Sequence, residues 1–244
     1  DELAVMREAG ARLSVVARDV LREVVAEGRS EREMAAEMDT RLRAAGFETY
    51  LVGGCVRDEL LGRVPQDWDV ATAAPPEAVE PLFATVRAVG RHFGVLRVES
   101  AGCWIEVATF RTEGPYSDGR HPDSVRFATA REDAQRRDFT VNALYLDPDR
   151  GEVLDFVGGR ADLEASLVRA VGDAPSRFAE DALRLVRAVR FACSLGFTIE
   201  PATWAALCAG AAGIRTTSAE RVRDEFLAVL TGPASGSTLP GASA

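Results

Sequence analysis

The spacing of apolar residues changes twice along the chain, and this limits the available folds more than any other feature. Before residue 46, Leu13, Val16, Ala17, Val20, Leu21 and Val24, and then Met34, Met38, Leu42 and Ala45, recur at helical spacing. Gly28-Arg29-Ser30 separates the two stretches, and Ser30 and Glu33 stand in capping-box order. Short β-type runs follow at Thr49–Val52, Trp68–Ala71, Val95–Val98, Trp104–Phe110, Ser124–Phe127, Leu144–Leu146 and Val153–Phe156, alternating with short helical stretches. From Arg160 towards Leu230 the spacing is helical again, and GPASGSTLPGASA at the end has the composition of a flexible tail. The pattern predicts an α+β chain. Its parts are a helical N-terminal extension (1–45), a head with a mixed β-sheet and flanking helices (46–157), an all-helical neck (158–232) and a tail (233–244).

Composition narrows the function classes. No apolar run approaches the roughly 20 residues that span a bilayer, and DELAVMREAGARL is not a signal peptide. A membrane partner is therefore not expected, and no obligate protein partner is inferred. Cys55, Cys103, Cys193 and Cys208 form no C-x-x-C pair, which reads as reduced thiols and a cytoplasmic location. A net charge of −9 argues against nonspecific coating of nucleic acid but leaves room for a local basic groove. All 29 basic side chains other than the two histidines are arginine. Any cationic contact to phosphate or base therefore comes mainly from a planar guanidinium with several donors.

Two local patterns carry chemistry in the head. Tyr50-Leu51-Val52 runs into Gly53-Gly54 and then Cys55-Val56-Arg57-Asp58-Glu59-Leu60. A strand entering such a turn lets backbone N–H groups approach a phosphate, and Arg57 can add a full positive charge. Alone, this is equally a tight turn with no ligand. In Gln66-Asp67-Trp68-Asp69-Val70, strand alternation puts Asp67 and Asp69 on one face and Trp68 on the other. Carboxylates about 7 Å apart on one strand face repel unless a cation lies between them, and hard oxygen donors suit Mg²⁺.

LVGGCVRDELLG followed by QDWDVAT resembles the signature of the class II tRNA nucleotidyltransferase (CCA-adding enzyme) and bacterial poly(A) polymerase family, within the polymerase-β-like superfamily. The resemblance implies that Gly53, Gly54 and Arg57 handle phosphates and that Asp67 and Asp69 are catalytic and bind two Mg²⁺ ions. Glu106 in Trp104-Ile105-Glu106-Val107 is the candidate third carboxylate; an exposed strand glutamate is the plain alternative. One metal would lower the pKa of an RNA 3′-hydroxyl and the other would steady the leaving pyrophosphate.

Three later segments match the same family. Arg111 to Pro122, including Arg111 and Arg120, has the Gly/Pro/Ser content of a mobile surface loop and looks like the family's flexible loop. Arg136-Arg137-Asp138-Phe139-Thr140-Val141-Asn142 matches the RRDFT-x-N segment. Read as a helix it places Asp138 and Asn142 on one face, and the resemblance assigns Arg137, Asp138 and Asn142 to the nucleotide sugar and phosphates. Phe178 to Phe191 reads as one amphipathic helix, with Phe178, Leu185 and Val189 opposite Arg177, Glu180, Arg184 and Arg187. Physics alone makes that polar side a solvated face of ion pairs. The resemblance instead makes Asp181 and Arg184 the readers of the base edge, with Glu180 positioning the arginine and Arg187 stacking or binding phosphate. Ser218 to Phe226 reads mainly as a structural neck helix with charges paired along it.

The implied activity is template-independent addition of C and A from CTP and ATP to the tRNA 3′ end. An A-adding enzyme, a poly(A) polymerase and a truncated nucleotide- or RNA-binding module are the alternatives. Family members continue beyond the neck into helical body and tail domains, so nucleotide binding and metal chemistry are firmer expectations here than efficient extension of tRNA.

Overall fold

A computed structural model describes residues 30–100, 102–114, 116 and 123–231. The first helical stretch, Arg120, His121 and the C-terminal tail lie outside the described residues. Among the described residues no helix is long and apolar enough to cross a membrane.

The head is built on a seven-stranded mixed sheet flanked by helices. Its strands are β1 (Thr49–Val52), β2 (Asp69–Thr72), β3 (Val86–Gly90), β4 (Val95–Ser100), β5 (Cys103–Thr109), β8 (Leu144–Asp147) and β9 (Glu152–Asp155), in the order β3-β4-β5-β2-β1-β8-β9. Only β2 and β5 run parallel; every other neighbouring pair is antiparallel. Strand alternation gives the sheet two different faces. Leu51, Val70, Leu96, Val98, Ile105, Val107, Leu144 and Leu146 point one way into the main core. There they meet Met34, Met38 and Leu42 of α1 (Glu31–Ala44). Ser30 caps α1 with the expected reciprocal capping box, its hydroxyl accepting from Glu33 N–H. The second half of the expected N-terminal extension is thus packed into the core of the head. The opposite face carries Val52, Ala71 and Tyr145 against Ala130 and Ala134 of α4 (Ala130–Arg136).

Helix α2 (Gly54–Leu60) follows β1, α3 (Pro76–Val79) follows β2, and α5 (Gly159–Glu164) follows β9. A Cβ on Gly159 would fall 2.2 Å from the Thr140 carbonyl oxygen, so only glycine lets α5 sit this close to the turn before β8. The neck contains α6 (Ala174–Glu180), α7 (Leu183–Leu195), α8 (Pro201–Gly210) and α9 (Ala219–Thr231). It is not wholly helical, because β10 (Leu167–Val168) and β11 (Thr198–Ile199) form a short parallel pair.

The structure corrects three local expectations. Arg111–Glu113 is strand β6, paired with β7 (Val125–Phe127), so the expected mobile loop springs from a two-stranded base. Arg137 to Phe139 is extended rather than helical, and only Thr140–Asn142 makes a single 3₁₀ turn. The run from Phe178 to Phe191 is two helices, broken at Asp181 (φ −144°, ψ 106°).

Candidate active site

The carboxylates gather where β2 and β5 lie side by side. Trp68 is buried in the main core, so its neighbours Asp67 and Asp69 face the other side, as strand alternation requires. Asp67 precedes the strand and is exposed, while Asp69 is its first residue. Glu106 is the register partner of Asp69 on β5. Among the described residues, none of the three is held in an ion pair or a side-chain hydrogen bond. Burial, then the nearby charges of Asp67 and Glu106, push the Asp69 carboxyl up to about 7. Glu106 is exposed on β5, as a plain strand glutamate would be, yet the protein around it still raises its carboxyl by desolvation, against the pull of Arg97 and Arg111. Carboxylates left unpaired and mutually repelling are donors arranged for a cation. Among the described residues no group of three or more His, Cys, Asp or Glu side chains is placed to hold a metal ion. Mg²⁺ takes one or two carboxylates, with substrate phosphate oxygens and water completing its octahedron.

The glycine turn lies one strand away, at the end of β1. Gly53 has φ +83° and ψ −134°, a conformation closed to residues with a Cβ. A Cβ there would also stand 3.4 Å from Nη1 of Arg137. The turn therefore brings bare backbone against a guanidinium, the arrangement a phosphate needs. Arg57, in the last turn of the short helix α2, is buried under this site: its Nη1 donates to Asn142 Oδ1 at 2.5 Å and its Nε to Asp58 at 2.8 Å. Asn142 in turn donates from Nδ2 to Asp138 Oδ1 at 3.3 Å. Asp138 and Asn142 meet as the sequence predicts, but across an extended turn rather than on a helix face.

Two groups that hold Arg137 were not legible as site residues. Asp133 on α4 is 1% exposed and accepts from Arg137 Nη2 at 3.1 Å and from the Tyr145 hydroxyl at 2.7 Å. Its other oxygen accepts from Arg136 Nε at 2.8 Å. Burial works to raise the Asp133 carboxyl, but Arg137 and Arg136 outweigh it and hold it at about 2. The available signal was Asp133 four residues before Arg137 on a helical stretch, an i,i+4 pair.

The neck closes over the same place. Arg187 on α7 donates to Asp138 Oδ2 from Nε at 2.9 Å and from Nη2 at 2.7 Å. Arg184 is 8% exposed and donates to Glu180 at 2.6 Å, so the expected positioning contact is present. Asp181 is not free: it accepts from Leu183 N–H at 3.0 Å and from Arg221 of α9 at 2.8 Å. Glu225 of α9 pairs with Arg187 at 3.3 Å and also with Arg190. Helix α9 thus supplies two charges to this network as well as structure. Their i,i+4 spacing on one face of α9 was the readable clue, but it does not say which helix they meet. Arg111 is occupied by Glu113, 2.9 Å from Nη2, and by the Phe93 carbonyl, so it braces the base of the β6–β7 hairpin.

Known proteins match this architecture. Residues 49–169 match the family model described as "Poly A polymerase head domain", and residues 196–240 match "Probable RNA and SrmB- binding site of polymerase A". The CCA-adding enzyme of Limosilactobacillus fermentum is 46% identical over 206 residues, 84% of this chain and 51% of that protein. The CCA-adding enzyme of Lactiplantibacillus plantarum is 45% identical over 212 residues, 86% of this chain and 52% of that protein. The crystal structure of the Bacillus stearothermophilus CCA-adding enzyme in complex with CTP superposes with a TM-score of 0.77 at 40% identity, covering 84% of this chain and 50% of that one. The chain spans about half the length of the curated relatives it matches.

Proposed function

The chain belongs to the tRNA nucleotidyltransferase and bacterial poly(A) polymerase family, and from that premise we propose that it adds C and A from CTP and ATP to the 3′ end of tRNA. One observation carries the reading: unpaired Asp67, Asp69 and Glu106 lie one strand from a glycine turn lined by Arg137. Catalytic carboxylates and a phosphate cradle thus share one sheet face, beneath a neck whose arginines are already held in place.

Each residue has a part in the reaction. The Gly53-Gly54 backbone and Arg137 receive the triphosphate, and Asp133 with Tyr145 keeps Arg137 aimed at it. Arg57 acts through Asn142, which it holds against Asp138 for the ribose hydroxyls. Arg184, braced by Glu180, and Asp181 present donors and an acceptor to the base edge. Asp181 exchanges its Arg221 partner for the base, leaving a wrong base with unpaired buried groups. Asp67 and Asp69, with Glu106 beside them, would hold two Mg²⁺ ions, and these would supply a lowered pKa at the RNA 3′-hydroxyl and neutralisation of the leaving pyrophosphate. Positioning and charge neutralisation do most of the work, as in other phosphoryl transfers. The same reading places the chain in the cytoplasm, where its four free cysteines stay reduced.

The test uses the chain and its Asp67→Ala variant with Mg²⁺, labelled CTP or ATP, and tRNAs lacking CCA, CA or the final A. Incorporation of both C and A by the wild type, lost in the variant, is the expected result. Incorporation of A alone would replace the reading with A addition or poly(A) synthesis. CTP binding without incorporation would reduce the chain to a nucleotide-binding module.

A further inference from the structure

The catalytic sheet face does not end at the carboxylates. Arg97 on β4 is the register partner of Glu106, and Arg87 on the edge strand β3 is the register partner of Arg97. Paired residues on adjacent strands project from the same face, so Glu106, Arg97 and Arg87 form one row running outward from the site. Trp104, two residues before Glu106 on β5, shares that face. The Arg87 guanidinium lies over its indole, 4.3 Å from the ring centroid. Both arginines are exposed, and among the described residues neither is held in an ion pair, although Arg97 lies close enough to Glu106 and Asp69 to pull on their carboxyls. Arg43, Arg57, Arg137 and Arg187, by contrast, are all held in ion pairs. Glu99, the acidic neighbour on this face, is turned to the β4–β5 connection, where it accepts from Gly102 N–H at 2.8 Å.

The direction of the row matters as much as its charge. Gly53, Arg137 and Asn142, the phosphate side of the site, lie towards β1 and β8. Glu106, Arg97 and Arg87 lie on the other side of Asp69, towards β4 and β3. In-line displacement places the attacking oxygen opposite the leaving group. With the pyrophosphate leaving over the glycine turn, an RNA 3′-hydroxyl must arrive across β5, β4 and β3.

We propose that Arg97, Arg87 and Trp104 form the track on which the 3′-terminal nucleotides of the RNA lie as they reach the carboxylates. The proposal rests on the nucleotidyltransferase reading and names the residues that grip its acceptor strand. Arg97 pairs with the phosphate nearest the 3′ end. Arg87 offers a planar guanidinium, already backed by an indole, on which a base stacks while its edge binds the next phosphate. Stacking of this kind is indifferent to base identity, as a track must be if the terminal nucleotide changes after each addition.

The experiment measures two affinities in parallel for the full chain and its variants. Fluorescence anisotropy follows an end-labelled RNA hairpin with a short single-stranded 3′ end, and calorimetry follows CTP with Mg²⁺; thermal melts confirm folding. Arg87→Ala/Arg97→Ala should weaken RNA binding about tenfold or more and flatten the log–log salt dependence by about 1.4, the value for two single-strand phosphate contacts. Trp104→Ala should weaken RNA binding about fivefold, and Trp104→Phe should restore most of the loss. Arg97→Lys should keep the salt slope, and CTP affinity should not change in any variant. RNA affinity and salt slope equal to the wild type's in the double variant would overturn the track, as would an equal loss of CTP affinity. Nucleotide addition is scored separately. Wild-type binding through these residues without addition would remove the reaction and keep the track. Normal addition by the double variant with unchanged RNA affinity would keep the reaction and remove the track.

Discussion

Asp138 and Arg187 are 49 residues apart in the chain and joined by two hydrogen bonds to one carboxylate oxygen, at 2.9 and 2.7 Å. The pair ties the segment before β8 to the second turn of α7, and so fixes where the neck stands over the glycine turn. Burial works to raise the Asp138 carboxyl, but Arg187 outweighs it and holds it down. Removing either partner leaves the other charge largely desolvated, so Asp138→Ala and Arg187→Ala should each cost about 2–4 kcal/mol. The double variant should cost less than their sum by about 1–3 kcal/mol, because the two residues act as one unit. Urea denaturation of the four proteins measures the cycle, and additivity would show that the two side chains contribute independently.

Asp133 supports Arg137, and through it the glycine turn, from beneath. It holds Arg136, Arg137 and Tyr145 together, so Asp133→Asn should destabilise the chain by about 3–5 kcal/mol. Tyr145→Phe, which removes one hydrogen bond and leaves both arginines paired, should cost about 1 kcal/mol. The pH dependence has a definite sign. With a folded value of about 2 against 3.8 for the free group, the stabilisation is complete above pH 3.8 and is lost as pH falls through 2. The difference in stability between wild type and Asp133→Asn should therefore shrink by about 2 kcal/mol on acidification from pH 5 to 2. Thermal melts across that range provide the check.

Like charges held together in the carboxylate cluster oppose folding. Asp69 is held beside Asp67 and Glu106, and burial and those two charges outweigh the pull of Arg137 and Arg97 on its carboxyl. Without metal at pH 8, Asp69→Asn should be more stable than the wild type by about 1–2 kcal/mol, or roughly 2–8 °C in Tm for a domain of this size. The same variant should lose at least about a thousandfold in nucleotide addition, since such charge stabilisation accounts for several kcal/mol of barrier. Chelation of Mg²⁺ should abolish addition by the wild type in the same way. A wild type more stable than Asp69→Asn in the absence of metal would mean that the cluster is internally compensated.

Features set by neighbours in sequence were readable, and features set by distant partners were not. The Gly53 turn, the paired Asp67 and Asp69 and the capping box of α1 each depend on a few consecutive residues, and the structure places them as the spacing implies. The break at Asp181 was hidden because Phe178 and Leu185 keep helical spacing across it. Its cause is the Asp181 carboxylate, which caps Leu183 N–H and reaches Arg221, 40 residues away. The extended course of Phe139 has a similar origin, since it bridges to Ala170 in the neck. Strand β3 carries Arg87, Ala88 and Val89 exposed at the sheet edge, so no apolar alternation marked it.

Asp39 offers a stability test far from the chemistry. It is fully buried on α1, its Oδ2 accepts from Arg43 Nε at 2.7 Å, and its Oδ1 has no hydrogen-bond partner among the described residues. Arg43 also reaches Asp147 at 3.2 Å and the Thr49 carbonyl, so it stays anchored without the Asp39 charge. Burial pushes the Asp39 carboxyl up to about 6, against the pull of Arg43. A raised carboxylate value means that the folded chain holds its proton at pH values where the unfolded chain has lost it. Stability is therefore greatest below pH 3.8 as far as this group is concerned, and is lost as pH rises through about 6, above which it no longer changes. Asp39→Asn keeps an oxygen for Arg43 and removes the titration. It should match the wild type near pH 4 and exceed it by on the order of 2–3 kcal/mol at pH 8. Denaturant midpoints at the two pH values decide the matter: an Asp39→Asn chain less stable than the wild type at pH 8 would show that the Arg43 pair outweighs the cost of burying the charge.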